Sequence, residues 1–477
     1  MEGSKVKMEQ AHVVMFPFIL QGHIKVLLTL GELLSEAGLY VTFVNTHQNH
    51  KRLANLQALT THFPNLHFES ISDGLPDDHP RTLFQDFFEG MKTKTKPNFK
   101  EHIVSLNKKS ENGLCPPVTC IIGDGVMSFP IEVADELGIP IFSFYGTSAR
   151  FLWAFFNIPK LVEEGQIPFF DDNMNYRIHG IPGLEGLLRR KDLPEFCALK
   201  EIDHNMINFF VEETLAVTKT SGLILNTFDE LEIDSVQNVA TKCSKLYTVA
   251  PINALLQSQI GPRAQSIASL GSLWDVEQNC IKWLDSQPLK SVVYVSFGSI
   301  TKSSISQLKE FWHGLVDSGH PFLWVIRPGA ILDEEVIPKE LEKGQKERGY
   351  VVDWAPQEEV MAHKALGGFL NQSGWNSILE SIVAGVPMIC WPYSGDHFIN
   401  CQCVTKVWKI GLELGDWDRL TIKTTIKELM ESRREEFQES VDKAAQWAKN
   451  CISKGGSSSL NLEKLIKDIK GIKEIKV

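Results

Sequence analysis

A chain of 477 residues is too long for one ordinary domain, and two domains of roughly 200 residues each are expected. Its 43% apolar and 22% charged residues are globular in character, and 59 Asp and Glu against 48 Lys and Arg leave a net charge of -11. That balance argues against a nucleic-acid partner, which would need clustered cations. It directs any recognition of phosphate to backbone N–H groups and helix ends. The first ten residues are polar and charged, and the apolar run that follows is short and interrupted by Pro17. It has neither signal-peptide architecture nor the length to span a bilayer, so a soluble, cytoplasmic protein is expected. Residues 11–18 then read as a buried strand, followed by Ile24, Leu27, Leu28 and Leu34 at helical spacing, with Gly38 as a stop. Further strand runs follow at 39–45, 118–122, 140–144 and 222–226. Residues 250–273 are rich in Ser, Gly, Pro and Gln, and read as a linker. A second series begins at 291–297 and continues at 321–326, 350–353, 366–370 and 387–391. Residues 454–459 form a break before a final amphipathic helix from Leu460.

Strands alternating with helices imply parallel sheets, so the chain is read as α/β, with two doubly wound, Rossmann-like domains. Such sheets bind ligands beyond the carboxyl ends of their strands, which puts the expected site in a cleft where the two domains face each other. The expected division is 1–252 and 253–459, with the helix 460–477 packing back on the first domain. Nine cysteines at irregular positions, none at zinc-site spacing, are expected to be reduced thiols. No metal site is expected. Asp77-Asp78, Asp171-Asp172 and the triplet Asp416-Trp417-Asp418 read as loop carboxylates. No G-x-G-x-x-G follows the first strand, which counts against a dinucleotide oxidoreductase.

Residues 354–397 read WAPQEEVMAHKALGGFLNQSGWNSILESIVAGVPMICWPYSGDH. Within them, NQSGW lies between a strand run and a helix starting near Asn376, and Gly374 lets the backbone approach a ligand closely. A helix N-terminus there would present N–H groups and partial positive charge to a diphosphate. The whole stretch resembles the 44-residue signature of plant family 1 UDP-glycosyltransferases: Trp-Ala-Pro-Gln at its start, Gly-Trp-Asn-Ser in its middle, Glu380, Gly-Val-Pro-Met, Trp-Pro and Asp396. The resemblance extends over nearly the whole chain. It includes the His23 region, Leu225-Asn226-Thr227-Phe228, Gly298-Ser299 and the break at Gly455.

The resemblance implies a GT-B fold and an inverting, metal-independent sugar transfer, with a UDP-sugar as co-substrate and no cofactor. It implies that Trp354 stacks on uracil while Ala355 and Gln357 read its edge, and that Glu380 takes the ribose hydroxyls. Gly298, Ser299, Gly374, Asn376 and Ser377 would hold the diphosphate, and Trp375, Asp396 and His397 would face the sugar. Two positions depart from the family pattern. Gln372 stands where a phosphate-binding His is usual; it can donate a hydrogen bond but never as a cation. His397 stands where glucosyltransferases usually carry Gln, which leaves galactose or arabinose as alternatives to glucose.

A hydroxyl acceptor needs a base as its bond forms, and His is the side chain whose pKa suits that task. His23 lies at the junction of the first strand and first helix. Asp124 follows the strand 118–122 in IIGDG. Both sit at the carboxyl ends of strands. The resemblance makes His23 the base and Asp124 the carboxylate that orients it. For the acceptor it implies a pocket lined by Phe18, Phe87, Phe88, Tyr145, Gly146 and Thr147, suited to a small lipophilic ring system with a hydroxyl or carboxyl handle. The pairing of FLNQSGWNS with CWPYSGD is similar to the branch that glucosylates iridoid and other small terpenoid aglycones. The enzyme is expected to act as a monomer. A non-catalytic UDP-sugar or small-ligand binder is the alternative that Gln372 and His397 favour, and a phosphorylase or epimerase on the same fold is a third. His23 and Asp124 weigh against the binder, and the Trp354 and Glu380 uridine pattern against the third reading.

Overall fold

The structure, a computed structural model, describes residues 10–53, 55–76, 79, 90–169, 173–194, 197, 204–263, 270–332 and 348–472. Two compact units emerge. The first comprises Met1–Phe156, Asn208–Trp274 and Cys451–Val477, and the second Asn157–Ile207 and Asp275–Asn450.

The first unit is built on a parallel seven-stranded sheet. Its strands are β1 (His12–Phe16), β2 (Tyr40–Thr46), β3 (Leu66–Ile71), β4 (Val118–Asp124), β5 (Ile141–Tyr145), β6 (Gly222–Leu225) and β7 (Leu246–Thr248), in the order β3-β2-β1-β4-β5-β6-β7. Along β1, Val13 and Met15 enter one core while Val14 and Phe16 enter another. Helices therefore cover both faces, which is why the strand reads as a continuous apolar run rather than an alternating one. The order reverses between β1 and β4, whose ends pair with Phe16 opposite Gly123. Helix α1 (Gln21–Glu36) leaves from the carboxyl end of β1, and α2 (Ala149–Phe156), α3 (Asp229–Ala240) and α4 (Ile252–Ile260) complete the part of this unit that bears on the site.

The expected linker is corrected by α4. Ile252, Leu255, Leu256 and Ile260 recur at helical spacing and are buried in the α1-side core. The Ser, Gly and Gln of the stretch masked that stripe. The first unit then runs on to Trp274, with Leu273 donating its N–H to Gln21 Oε1 at the start of α1.

The second unit carries a parallel six-stranded sheet: β8 (Val292–Ser296), β9 (Phe322–Val325), β10 (Gly349–Val352), β11 (Leu366–Asn371), β12 (Met388–Cys390) and β13 (Gly411–Glu413), in the order β10-β9-β8-β11-β12-β13. Here the reversal lies between β8 and β11, with Ser296 opposite Asn371. Helices α5 (Ile305–Ser318), α6 (Trp375–Ala384), α7 (His397–Gln402) and α8 (Arg419–Lys427) belong to this unit. In this unit Arg189 grips Asp192 through two nitrogens and also reaches Glu413, with which Lys191 pairs as well.

Helix α9 (Ser457–Lys470) packs in the first unit. Leu462, Leu465 and Ile469 join the α1-side core, and Asp468 accepts from Tyr247 Oη at 2.5 Å and from Lys245 Nζ at 2.9 Å. The edge strands β3, β7 and β13 went unread in the sequence. They are short or mixed in burial, so their apolar signal is weak.

Candidate active site

At the switch point of the first sheet, the turn after β1 begins α1 beside the end of β4, and two sequence-distant side chains meet. His23 Nδ1 lies 2.9 Å from Asp124 Oδ2. A carboxylate only accepts, so Nδ1 carries the proton and Nε2 of the neutral ring is left as the basic nitrogen. Asp124 is 1% exposed and His23 side chain 20% exposed. The buried carboxylate is held by its neighbours: Oδ2 also accepts from Phe18 N at 3.2 Å, and Oδ1 from Val126 N at 3.3 Å. The Phe18 and His23 rings lie 5.2 Å apart, centroid to centroid, in a T-shaped arrangement. Gly125 is dictated by packing, because a Cβ there would meet the Tyr145 ring at 2.6 Å.

Among the residues expected around an acceptor, Phe18 and Tyr145 are buried, while Gly146 and Thr147 are half-buried in the turn between β5 and α2. Thr147 Oγ1 is buried without a hydrogen-bond partner. That turn is anchored by a residue the sequence reading passed over. The Glu232 carboxylate, itself buried, accepts from Ala149 N, Arg150 N and Thr227 Oγ1 at 2.8, 3.1 and 2.7 Å. It serves the start of α2 as a cap supplied from another element. Its signal lies in the acidic run Asp229-Glu230-Leu231-Glu232, which directly follows Leu225-Asn226-Thr227-Phe228. Phe87 and Phe88 lie outside the described residues, as do Asp77-Asp78 and Asp171-Asp172.

In the second unit, the turns after β8 and β11 meet at the other switch point. Gly298 has φ +71° and Ser373 φ +68°, and Gly374 is the N-cap of α6 with no side-chain cap on the first turn. Gln372 is 8% exposed and covers Gly298 so closely that a Cβ on Gly298 would overlap the Gln372 amide. Positions around Gly374 converge as well: its Cβ would lie 3.0 Å from Gln372 Nε2 and 3.7 Å from His397 Nε2. His397 is buried, accepts at Nδ1 from Ser394 N (3.3 Å), and holds Nε2 3.9 Å from Asp396 Oδ1. Asp396 accepts from Asn400 Nδ2 at 2.8 Å, and Asn400 also donates to Ser373 O at 3.0 Å, tying this turn to the one after β11.

The residues expected around uridine are linked to each other. Gln357 Nε2 donates to Glu380 Oε2 at 2.6 Å and to Ser377 Oγ at 3.0 Å. Its Oε1 accepts from Tyr294 Oη at 3.2 Å, which fixes the amide orientation. Tyr294 was not singled out in the sequence. It is fully buried, stacked on Phe369, and burial pushes its phenol pKa well up, so it stays a donor. Trp354 is half-buried and accepts at its carbonyl from Glu277 N; Ala355 is buried beside it. Trp375 is buried with its ring 6.1 Å from Trp408, and Asn376 and Ser377 follow it half-buried in the first turn of α6. Ser299 is half-buried after Gly298.

The chain is 45% identical over 471 residues to the 7-deoxyloganetic acid glucosyltransferase of Catharanthus roseus, covering 97% of this chain and 98% of that one. The family described as UDP-glucoronosyl and UDP-glucosyl transferase matches residues 258–443. The chain belongs to that family. It is a UDP-glycosyltransferase. A second relative, the mogroside I-A1 synthase of Siraitia grosvenorii, is 45% identical over 94% of this chain and 86% of its own length. Among solved structures, Medicago truncatula UGT71G1 complexed with UDP-glucose superposes with a TM-score of 0.79 at 27% identity, covering 98% of this chain and 100% of that one. The fold is accordingly GT-B.

In this UDP-glycosyltransferase the Asp416-Trp417-Asp418 triplet has a local explanation. Asp418 is the N-cap of α8, its Oδ1 accepting from Leu420 N at 3.0 Å and Thr421 N at 3.1 Å. Among the described residues no group of three His, Cys, Asp or Glu is placed to hold a metal ion, and no helix is long and apolar enough to cross a membrane.

Proposed function

We propose that this UDP-glycosyltransferase moves glucose from UDP-glucose to a hydroxyl or carboxyl of a small lipophilic metabolite of iridoid or terpenoid type. It does so with inversion, as a monomer in the cytoplasm. The observation that carries the chemistry is the pair at the switch point of the first sheet: the His23 imidazole oriented by the buried Asp124 carboxylate. The similarity to glucosyltransferases named for 7-deoxyloganetic acid and 7-deoxyloganetin supports the donor and the acceptor class.

In this reading, His23 Nε2 takes the acceptor proton as the acceptor oxygen attacks the anomeric carbon. The bond from that carbon to the β-phosphate oxygen breaks, and UDP leaves with the electron pair. Asp124 holds the ring and stabilises the imidazolium that forms. Trp354, Ala355, Gln357 and Glu380 hold the uridine. Gly298, Ser299, Gln372, Gly374, Asn376 and Ser377 surround the diphosphate at the head of α6, where backbone N–H groups meet the growing negative charge. Trp375, Asp396 and His397 take the sugar, and Phe18, Tyr145, Gly146 and Thr147 the acceptor, with Phe87 and Phe88 expected beside them.

His397 is the one observation that favours a second reading, transfer of galactose or arabinose. A screen of UDP release crossing UDP-glucose, UDP-galactose, UDP-arabinose and UDP-xylose with iridoids, flavonoids and phenolic acids tests both. Turnover with UDP-glucose and an iridoid acid or alcohol is expected. A preference for another UDP-sugar would move the assignment to His397. UDP binding without turnover on any pair would favour a non-catalytic binder.

A further inference from the structure

Beside the turn after β8 lies a buried cation that the sequence reading did not use. Arg327 follows β9 and is 8% exposed. Its Nε donates to Gly298 O at 3.3 Å, one terminal nitrogen to Thr301 O at 2.9 Å, and the other to Pro328 O at 3.3 Å. Among the described residues no carboxylate lies within ion-pairing distance of it. Burial pushes its pKa down, yet an arginine remains protonated. A buried charge with no anionic partner among the described residues is costly, and such groups are commonly met by an anion.

The surroundings point to where that partner binds. Arg327 clamps both ends of the turn Gly298–Thr301, and Ser303 is bridged to Ile331 just beyond. Three buried polar atoms in the turns after β8 and β11 have no hydrogen-bond partner: Thr301 Oγ1, Gln372 Oε1 and Ser373 Oγ. Orphaned polar atoms of this kind are uncommon in folded proteins and mark places where a polar ligand or water completes the site. Gln372 itself brings no charge to this place.

We propose that Arg327 is a positioning residue of the diphosphate site. It fixes the Gly298–Thr301 turn through two carbonyls and supplies a permanent positive charge behind the turn, in place of a cation at position 372. The proposal rests on the donor-site reading above. It assigns to Arg327 an effect on the phosphates and none on the nucleoside.

The test compares the affinities of UDP and uridine by isothermal titration for the full chain and for Arg327→Gln and Arg327→Lys, with thermal unfolding recorded for each. Arg327→Gln is expected to weaken UDP about tenfold or more and to leave uridine within about twofold. Arg327→Lys keeps the charge but not the planar fork, so an intermediate loss confined to UDP is expected. A parallel loss of UDP and uridine, or no loss of either, overturns the proposal. Should Arg327→Gln not fold, the lysine variant decides in the same way: a loss specific to UDP supports the assignment, and an equal loss or none removes it. If the unaltered protein binds neither ligand, the donor-site reading fails instead.

Discussion

His23 and Asp124, 101 residues apart in the chain, meet at 2.9 Å through Nδ1 and Oδ2, with the carboxylate buried and also held by the Phe18 and Val126 amides. The pairing fixes one tautomer and leaves Nε2 basic. His23→Ala is therefore expected to lower kcat by about 10³-fold or more while UDP affinity, measured by titration, stays within about twofold. Near-normal turnover would remove His23 as the base.

Asp124→Asn should cost less, about 10- to 100-fold in kcat, since the amide still fits but no longer stabilises an imidazolium. Steady-state rates together with UDP titration separate this from misfolding. An unchanged kcat would reduce Asp124 to the turn role that its bond to Val126 N already shows.

Gly298 has φ +71° and abuts the Gln372 amide. Gly298→Ala would meet both a left-handed backbone, costing about 1 kcal/mol, and a buried side chain with little room to retreat. UDP affinity is expected to fall about tenfold or more, whereas a Gly298→Ala protein that binds UDP normally would show that this turn lies away from the diphosphate.

If position 372 touches phosphate, Gln372→His should bind UDP at least as tightly as the unaltered protein. The measurement is UDP titration at pH 6 and pH 8, where an added imidazolium should favour the lower pH. A marked loss at both pH values would mean that the pocket is shaped around the glutamine amide.

His12 gives a stability prediction. It is buried in β1, with Nδ1 2.8 Å from Pro116 O and Nε2 2.8 Å from Thr42 Oγ1. Burial pushes its pKa down from 6.5 to about 4, the Pro116 bond acting only partly against this. The unfolded chain thus binds the proton more readily, and its contribution to stability is full above pH 6.5 and is lost as pH falls toward 4. On the order of 3 kcal/mol is at stake. Chemical denaturation between pH 7.5 and 4.5 should show His12→Gln with a flatter decline than the unaltered protein; equal slopes would assign the acid sensitivity elsewhere.

Much of this was legible in one dimension. The apolar runs of β1, β4, β8 and β11 announce strands buried on both faces, because such strands need no polar side. The 354–397 motif and the His23 and Asp124 contexts carry the resemblance to the family, because they are local runs of sequence. Less could be read where the signal is diluted or non-local. Helix α4 hides its stripe of Ile252, Leu255, Leu256 and Ile260 among Ser and Gln, and the edge strands β3, β7 and β13 are too short to stand out. Only tertiary structure decided which distant groups meet. It brought Nδ1 of His23 to Asp124, made Glu232 the cap of α2, tied Tyr294 through Gln357 to Glu380, and set Arg327 under the Gly298 turn. Each of these contacts depends on strand order. Sequence periodicity reports which way a side chain faces, whereas strand order determines its neighbours.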